Sequence, residues 1–298
     1  MNHAEALVST DWLNKKRNEP DFQQKYRIID ASWDLPSSKR NFVEEHRSKR
    51  IPGARYFSLA ECRDKTPKLP MMIPKPEDFA KYVHDIAGIE NNHHIIIYDN
   101  SERFGLFSAP RCWYLFRVMG HKFVHILDGG LPKWVKDGFE VASGDYSKNE
   151  ELPAASATYE AKLRPELVQH FDFIKANSQK DDSVQVVDGR PEGRFKGVAP
   201  EPNPAIPSGH FAKAINVPFF QLFNREVNVM KNPSEIADAF KGKGIDIDKQ
   251  VICSCGSGIA ASTLAFGLYY SKGIESQLYD GSWAEWATTV PDLIITEK

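Results

Sequence analysis

The chain has 298 residues, a length that favours two domains, and its 41% hydrophobic and 26% charged residues are typical of a globular protein. Its 38 basic and 40 acidic residues give a net charge of −2, which excludes a strong overall field for nucleic acid or an anionic membrane. The sequence contains no apolar run long enough for a membrane span. The first twelve residues show no signal or transit peptide, so we expect a cytoplasmic protein, with a mitochondrial location left open.

Taken in chain order, four short motifs of the first half recur in the second half. Their offsets stay within roughly 150–160 positions, which indicates two copies of one domain. The pairs are IIDAS (28–32) with VVDGR (186–190), IPGARYF (51–57) with FAKAINVPF (211–219), IIIYD (95–99) with VICSC (251–255), and LDGGLPKW (127–134) with YDGSWAEW (279–286).

These repeats place an N-terminal domain at residues 1–141 and a C-terminal domain at 166–298. The segment 142–165 is rich in Ser, Ala, Pro and charge and is predicted to be a linker lying over the surface of one domain. Within each half, continuous apolar strands alternate with helical patterns such as 77–87 and 234–240, the latter with Ser234 as its expected N-cap. The sequence therefore predicts an α/β fold with two tandem domains, each a mostly parallel sheet flanked by helices.

The four cysteines are too few for a disulfide scaffold and fit a reducing compartment. Cys253 and Cys255 are close in sequence, but no second pair supplies the remaining ligands of a zinc site. We therefore expect no metal and no cofactor. Cys253 lies inside a predicted strand, where a small buried side chain is the expected role.

Cys255 stands where a buried strand meets a helix predicted from Ile259 to Tyr270. The glycines of Cys255-Gly256-Ser257-Gly258 permit a tight loop whose backbone N–H groups turn inward and, with the helix dipole, stabilise an anion. The anion would be a thiolate or the outer sulfur of a persulfide, so Cys255 is the predicted nucleophile. A cysteine phosphatase would need an arginine at Ala261, and no Arg or Lys occurs from Cys255 through Ser271.

This loop resembles the CGSGVTA loop of the 3-mercaptopyruvate branch of the rhodanese superfamily more than the CRKGVTA loop of its thiosulfate branch. Counterparts of other motifs extend over nearly the whole chain, so the sequence resembles the two-domain sulfurtransferases of that superfamily. They include LVSTDWL (7–13), DASWDLP (30–36), GRFKG (193–197) and GHFAKAINVPF (209–219).

The resemblance implies that Cys255 carries the transferred sulfur, that Ser257 assists it, and that Arg194 binds the carboxylate of a small donor. Arg190 is a further candidate for lining the entrance to the same donor site. The expected donor-binding loop is completed by Gly256, Gly258, Ile259 and Ala260. It also implies a catalytically silent N-terminal domain, where Asp99 stands in the place of the cysteine. The alternative hypothesis is that the Asp99 carboxylate caps the N-terminus of a helix.

The sequence departs from the family pattern at four places. Asn203 stands where a second arginine follows the EP-EP segment, and Arg50 precedes IPGA in place of a histidine. Aligned without gaps, the Asp and His of a proposed serine relay fall on Ala60 and Met71.

We therefore expect a sulfurtransferase that moves sulfur from 3-mercaptopyruvate to a thiol, a thioredoxin-like dithiol protein or cyanide. The departures leave open a divergent binding or regulatory protein with little turnover, and a thiosulfate:cyanide sulfurtransferase is the third hypothesis.

Overall fold

The computed structural model describes residues 2–297, which divide into two compact units. Unit 1 contains the residues through Arg63, residues 74–163 and residues 223–230, and unit 2 contains residues 64–73, residues 164–222 and the residues from Lys231 onward. Each unit therefore includes one short segment from the other half of the sequence. Most of the segment predicted as a linker belongs to unit 1.

Unit 1 is built on a five-stranded sheet. Its strands are β1 (Leu7–Val8), β2 (Tyr26–Asp30), β3 (Arg55–Tyr56), β4 (His94–Tyr98) and β5 (Val124–Leu127). All pairs are parallel, and the order is β1-β5-β4-β2-β3. The helices are α1 (Thr10–Lys16), α2 (Phe22–Lys25), α3 (Phe42–Ser48), α4 (Pro76–Ala87), α5 (Ala109–Val118) and α6 (Gly130–Lys136).

Unit 2 repeats this arrangement. Its strands are β6 (Val168–Gln169), β7 (Gln185–Asp188), β8 (Ala214–Asn216), β11 (Val251–Ser254) and β12 (Gln277–Tyr279), in the parallel order β6-β12-β11-β7-β8. Its helices are α7 (Phe171–Ser178), α8 (Glu192–Phe195), α9 (Pro233–Lys241), α10 (Ile259–Lys272) and α11 (Ser282–Thr289). Residues 223–230 form the antiparallel hairpin β9 (Phe223–Asn224) and β10 (Val229–Met230) of unit 1. The predicted fold class is confirmed, and the matching strand orders extend the repeat to the level of topology.

Apart from His94, the central strands β4 and β11 are buried along their length because helices flank the parallel sheets. All four residues of β11 are buried, as are Ile95, Ile96, Ile97 and Tyr98 of β4. Trp134 anchors one core cluster in unit 1, and Trp283 and Trp286 anchor another in unit 2.

The predicted start of α9 was wrong by two residues. Asn232, not Ser234, is the N-cap: its side chain accepts from the Glu235 N–H, and the Glu235 side chain accepts from the Asn232 N–H. Pro233 occupies the first helical position, where its fixed φ is compatible with the helix and no N–H is required.

Helix α10 begins directly after the turn that follows β11. It ends at Lys272, and its C-cap Gly273 has a left-handed φ of 72° that terminates the helix. The turn therefore lies at the carboxyl edge of the sheet, the edge where open α/β sheets bind ligands. Among residues 2–297, no helix is long and apolar enough to cross a membrane, and no cluster of three or more His, Cys, Asp or Glu side chains could hold a metal ion.

Candidate active site

Cys255 lies between the end of β11 and the start of α10. Gly258, the N-cap of α10, has a φ of 93°, a conformation that glycine adopts without the steric cost of a Cβ. Its N–H donates to Cys255 Sγ at 3.1 Å. The sulfur is therefore held at the positive end of a 14-residue helix.

The start of α11 fixes the orientation of this loop. The Trp283 N–H donates to the Cys255 carbonyl at 2.8 Å, and the Ala284 N–H donates to the Gly256 carbonyl at 3.1 Å. Within the described chain, the N–H groups of Gly256, Ser257, Ile259 and Ala260 have no backbone or side-chain acceptor. The loop therefore offers a group of unsatisfied donors near the sulfur, which is a site suited to an anion.

The residues of the loop differ in exposure. Cys255 is 2% exposed, and Gly258 and Ile259 are also buried, whereas Gly256, Ser257 and Ala260 are half-buried. The Ser257 hydroxyl makes no hydrogen bond with another residue between 2 and 297, so it is not bonded to the sulfur in this state. The thiol therefore lies at the base of the loop with partly exposed residues around it.

The structure brings Arg194 to this loop. A Cβ added at Gly256 would lie 3.0 Å from Arg194 Nη2, so the glycine leaves room for the guanidinium. Both Nε, at 3.0 Å, and Nη2 of Arg194 donate to Oε2 of Glu201. Nη1 has no partner among the described residues, and the side chain is 21% exposed. Arg194 is thus fixed by one carboxylate while one nitrogen stays available.

Arg190 is placed differently from the prediction that it lines the mouth. It is 1% exposed, and its guanidinium donates to Asp188 at 2.6–3.1 Å, to Glu201 Oε1 at 2.8 Å and to the Gly209 carbonyl at 2.7 Å. Burial alone would lower the pKa of Arg190, but the Asp188 and Glu201 carboxylates raise it above the ordinary value. Since Glu201 joins both arginines, this geometry favours a role for Arg190 in holding Glu201 over contact with a donor.

Three of the four positions that depart from the family pattern carry side chains without charge. Asn203 is exposed, and its side chain accepts from the Ala205 N–H in a local turn. Ala60 is exposed in unit 1, and Met71 is buried in unit 2 with a φ of 55°. Neither place supplies a carboxylate or an imidazole.

In unit 1 the corresponding connection, residues 99–108 between β4 and α5, is occupied by the Asp99 side chain. Asp99, 0% exposed, accepts from the N–H groups of Phe107 at 2.8 Å, Ser108 at 2.8 Å, Ala109 at 2.7 Å and Ser101 at 3.1 Å. Burial raises the pKa of Asp99 even though these hydrogen bonds act to lower it. Asp99 therefore caps the N-terminus of α5.

Cys253 is fully buried in β11. Its Sγ lies 3.5 Å from Ser276 Oγ, and burial raises its pKa to about 12. A thiol in this environment stays protonated at neutral pH, in keeping with its expected role as a small core residue.

Two parts of the site escaped the sequence reasoning. Glu201 belongs to the APEP segment and Trp283 to the YDGSWAEW motif, so both were visible as motifs. Their roles depend on contacts that sequence spacing does not encode.

Comparisons with known proteins identify the family to which the chain belongs. The family model of the rhodanese-like domain matches residues 9–137 and 172–289. The chain is 37% identical over 293 residues to the 3-mercaptopyruvate sulfurtransferase of Homo sapiens, covering 98% of this chain and 95% of the relative. It is 38% identical over 307 residues to the mitochondrial thiosulfate/3-mercaptopyruvate sulfurtransferase 1 of Arabidopsis thaliana, covering 98% of this chain and 78% of that protein.

A solved structure is similar as well. The crystal structure of SseA from Escherichia coli, described as a 3-mercaptopyruvate sulfotransferase with the rhodanese fold, matches with a TM-score of 0.79 and 33% identity over 93% of this chain and 98% of that chain. With two family matches and relatives at this identity over nearly the full length, the chain belongs to the rhodanese family and is a two-domain sulfurtransferase.

Proposed function

We propose that Cys255 takes a sulfur atom from 3-mercaptopyruvate, holds it as a persulfide and passes it to a thiol, a dithiol protein of the thioredoxin type or cyanide. The observation that carries this proposal is the position of Sγ at the N-terminus of α10, beside backbone N–H groups that have no acceptor among the described residues. Such donors stabilise a thiolate before the transfer and the terminal sulfur of a persulfide after it.

The first step balances without an external oxidant. The Cys255 thiolate attacks the donor sulfur, an S–S bond forms, and the C–S bond of mercaptopyruvate breaks. The electron pair of that bond goes to carbon as the enolate of pyruvate, and the proton of the donor thiol ends on that carbon. The sulfur is oxidised to the sulfane level while the carbon is reduced.

Arg194 and Ser257 have separate roles in this proposal. Arg194 Nη1 binds the donor carboxylate, because the guanidinium is already oriented by Glu201 and adjoins the loop at Gly256. The half-buried Ser257 hydroxyl, which has no other partner in the described chain, moves the proton between the donor sulfur and carbon. Gly256, Gly258, Ile259 and Ala260 act through the backbone of the loop, and the N-terminal domain is catalytically silent.

The test is the intact mass of the protein after treatment with 3-mercaptopyruvate in the absence of an acceptor. We expect a gain of one sulfur atom in the wild type, none in Cys255→Ser, and the wild-type gain in the matched control Cys253→Ser. A sulfur gain that survives in Cys255→Ser would refute the assignment of the nucleophile.

The contact with the donor is tested separately. Replacing Arg194 with alanine removes a charged hydrogen bond of about 1.5–3 kcal/mol, so we expect KM for mercaptopyruvate to rise at least about tenfold. The surface variant Lys249→Ala, which breaks only an exposed ion pair with Asp246, is the control. An unchanged KM in Arg194→Ala would remove this residue from the donor site.

Thiosulfate is the second candidate donor, because the Arabidopsis relative carries both donors in its name. The loop at Cys255 has no Lys or Arg of its own from Cys255 through Ser271 to pair with a dianion, so we expect the larger kcat/KM with mercaptopyruvate. We place the reaction in the cytoplasm. The same relative is mitochondrial by name, and fractionation of cells that express the tagged protein would distinguish the two compartments.

A further inference from the structure

The C-terminal residues 294–297, here called the C-terminal strap, lie against the segment that carries Arg194. The His210 N–H donates to the Ile295 carbonyl at 2.9 Å, and the Ile295 N–H donates to the His210 carbonyl at 2.8 Å. The Glu297 N–H donates to the Lys196 carbonyl at 2.8 Å. Backbone hydrogen bonds therefore join the strap to His210 and to Lys196, the residue that follows α8.

Two glycines let the strap approach closely. Gly209 has a φ of 138°, and a Cβ there would lie 2.6 Å from Ile294 Cγ2 and from the Ile295 carbonyl oxygen. Gly197 has a φ of 79°, and a Cβ there would lie 2.7 Å from Thr296 Cγ2. Any larger residue at either place would displace the strap.

The residues under the strap are those that hold the backbone of Arg194. Helix α8 has only four residues, so its own hydrogen bonds do little to fix it. The Arg194 carbonyl accepts from Gly209 N–H at 3.0 Å and from Gly197 N–H at 3.2 Å. His210 Nδ1 lies 2.9 Å from the Phe195 carbonyl oxygen, and the His210 ring stacks on Phe195 at 4.1 Å.

We propose that the C-terminal strap is a positioning element for Arg194 and thereby sets the affinity for the donor carboxylate. The inference rests on the proposed role of Arg194. Loosening the strap frees α8, so that the guanidinium spends less time in the orientation that meets a carboxylate beside Gly256. Sulfur transfer at Cys255 uses the α10 loop, and among the described residues no hydrogen bond joins residues 294–297 to that loop, so we expect the loss to fall on KM and not on kcat.

The test compares two substitutions at one position. Ile295→Pro removes the N–H that donates to His210, whereas Ile295→Ala keeps it and trims a side chain that is 41% exposed. We expect Ile295→Pro to raise KM for mercaptopyruvate about five- to tenfold with kcat changed less than about twofold, and Ile295→Ala to behave as the wild type. An unchanged KM in a folded Ile295→Pro would overturn the proposal.

A double-mutant cycle with Arg194→Ala separates positioning from a general structural role. If the strap acts through Arg194, Ile295→Pro changes KM less than about twofold in the Arg194→Ala background. An equal rise in both backgrounds would refute the inference and leave the proposed function standing. If Arg194→Ala alone leaves KM unchanged, the proposed donor contact fails instead, whatever the strap does.

A milder pair covers the case in which Ile295→Pro does not fold. Glu297→Pro removes only the N–H that donates to Lys196 and keeps the bridge at His210, while Glu297→Ala keeps the N–H and removes the side chain that pairs with Lys196. We expect a two- to threefold rise in KM for Glu297→Pro alone, abolished in the Arg194→Ala background, and equal KM values for the two variants would count against the strap.

Discussion

Replacing Asp99 with alanine tests whether the unit 1 loop stabilises the fold without taking part in the reaction. Asp99 Oδ2 accepts from three consecutive N–H groups at 2.7–2.8 Å, and Oδ1 accepts from Ser101 at 3.1 Å. The side chain is fully buried. In Asp99→Ala these N–H groups lose their acceptor in a place closed to water.

The expected loss is the difference between two opposing effects. Each hydrogen bond to a charged group contributes about 1.5–3 kcal/mol, and a buried N–H without a partner costs about 1–3 kcal/mol. Removing the carboxylate also recovers its desolvation cost, the cause that raises the pKa of Asp99. Three buried N–H groups left without a partner cost about 1–3 kcal/mol each, and the recovered desolvation offsets part of that sum, so we expect a loss of unfolding free energy of about 3–5 kcal/mol.

Asp99→Asn refines the test because the amide keeps one oxygen for the three N–H groups and loses only the acceptor for Ser101. We expect it to cost about 1–2 kcal/mol. Since the folded pKa of Asp99 is raised, its ionisation costs stability as pH rises through that value. Asparagine has no such cost, so the deficit of Asp99→Asn should shrink at higher pH.

Urea unfolding combined with hydrogen exchange measures this loss. A chain of two units need not unfold in one step, so the exchange rates of the buried β4 amides of Ile95, Ile96 and Ile97, whose partners are unchanged in the variant, report on unit 1 directly. Asp85→Ala, which breaks an exposed pair with Lys81, is the control and should cost less than about 0.5 kcal/mol. A loss below about 1 kcal/mol for Asp99→Ala, or the disappearance of persulfide formation at Cys255 in a folded variant, would refute the reasoning.

Three further predictions address other residues. Ser257→Ala should lower kcat about tenfold, as expected for a lost proton-transfer group. The urea midpoint should stay unchanged, because the hydroxyl has no partner in the described chain. An unchanged kcat would exclude the Ser257 hydroxyl from the reaction. Asn203→Arg should lower KM for mercaptopyruvate about three- to tenfold by restoring a second cation, with Asn203→Gln as the uncharged control; equal KM values would show that this turn does not reach the donor. Burial raises the pKa of Asp128, which accepts from the Met230 N–H at 2.9 Å, to about 6, so its ionisation costs stability as pH rises from about 4 to about 6. Asp128→Asn should therefore gain about 1–3 kcal/mol relative to the wild type between pH 4 and pH 7.5, and parallel urea midpoints across this range would contradict the assigned pKa.

The repeat and the fold class could be predicted because both depend on local patterns. Residues 95–98 of β4 and 251–253 of β11 are continuous apolar runs, which a doubly covered sheet requires, and the matching motifs around them indicate that the two halves share one topology. The loop at Cys255 was also visible, since a strand, two glycines and a helical pattern follow one another directly in sequence.

The surroundings of that loop could not be predicted, because they are assembled from distant segments. The sequence marks Arg190 and Arg194 as two similar cations four residues apart. Only the structure shows that Asp188 and Glu201 enclose the first while the second keeps a nitrogen available. The prediction of the α9 N-cap was wrong for a more local reason. Both Asn232 and Ser234 are residue types that cap helices, and only Asn232 is placed to form the capping box with Glu235.

The corresponding strand-to-helix connections of the two halves, residues 99–108 and residues 255–258, satisfy their N–H groups differently, and this difference supports the proposed assignment of the reaction to the second half. In unit 1 the Asp99 carboxylate satisfies the N–H groups of Phe107, Ser108 and Ala109 at the start of α5, so these donors are not available to another anion. In unit 2 the shorter Cys255 side chain is met by the Gly258 N–H, and the donors at Gly256, Ser257, Ile259 and Ala260 stay without an acceptor in the described chain. A loop that satisfied all of its donors would gain stability and lose the means to hold a second sulfur. In the proposed mechanism the unmet donors beside Cys255 hold the second sulfur, and the stability lost in Asp99→Ala indicates how much a loop of this kind gains when its N–H groups are satisfied.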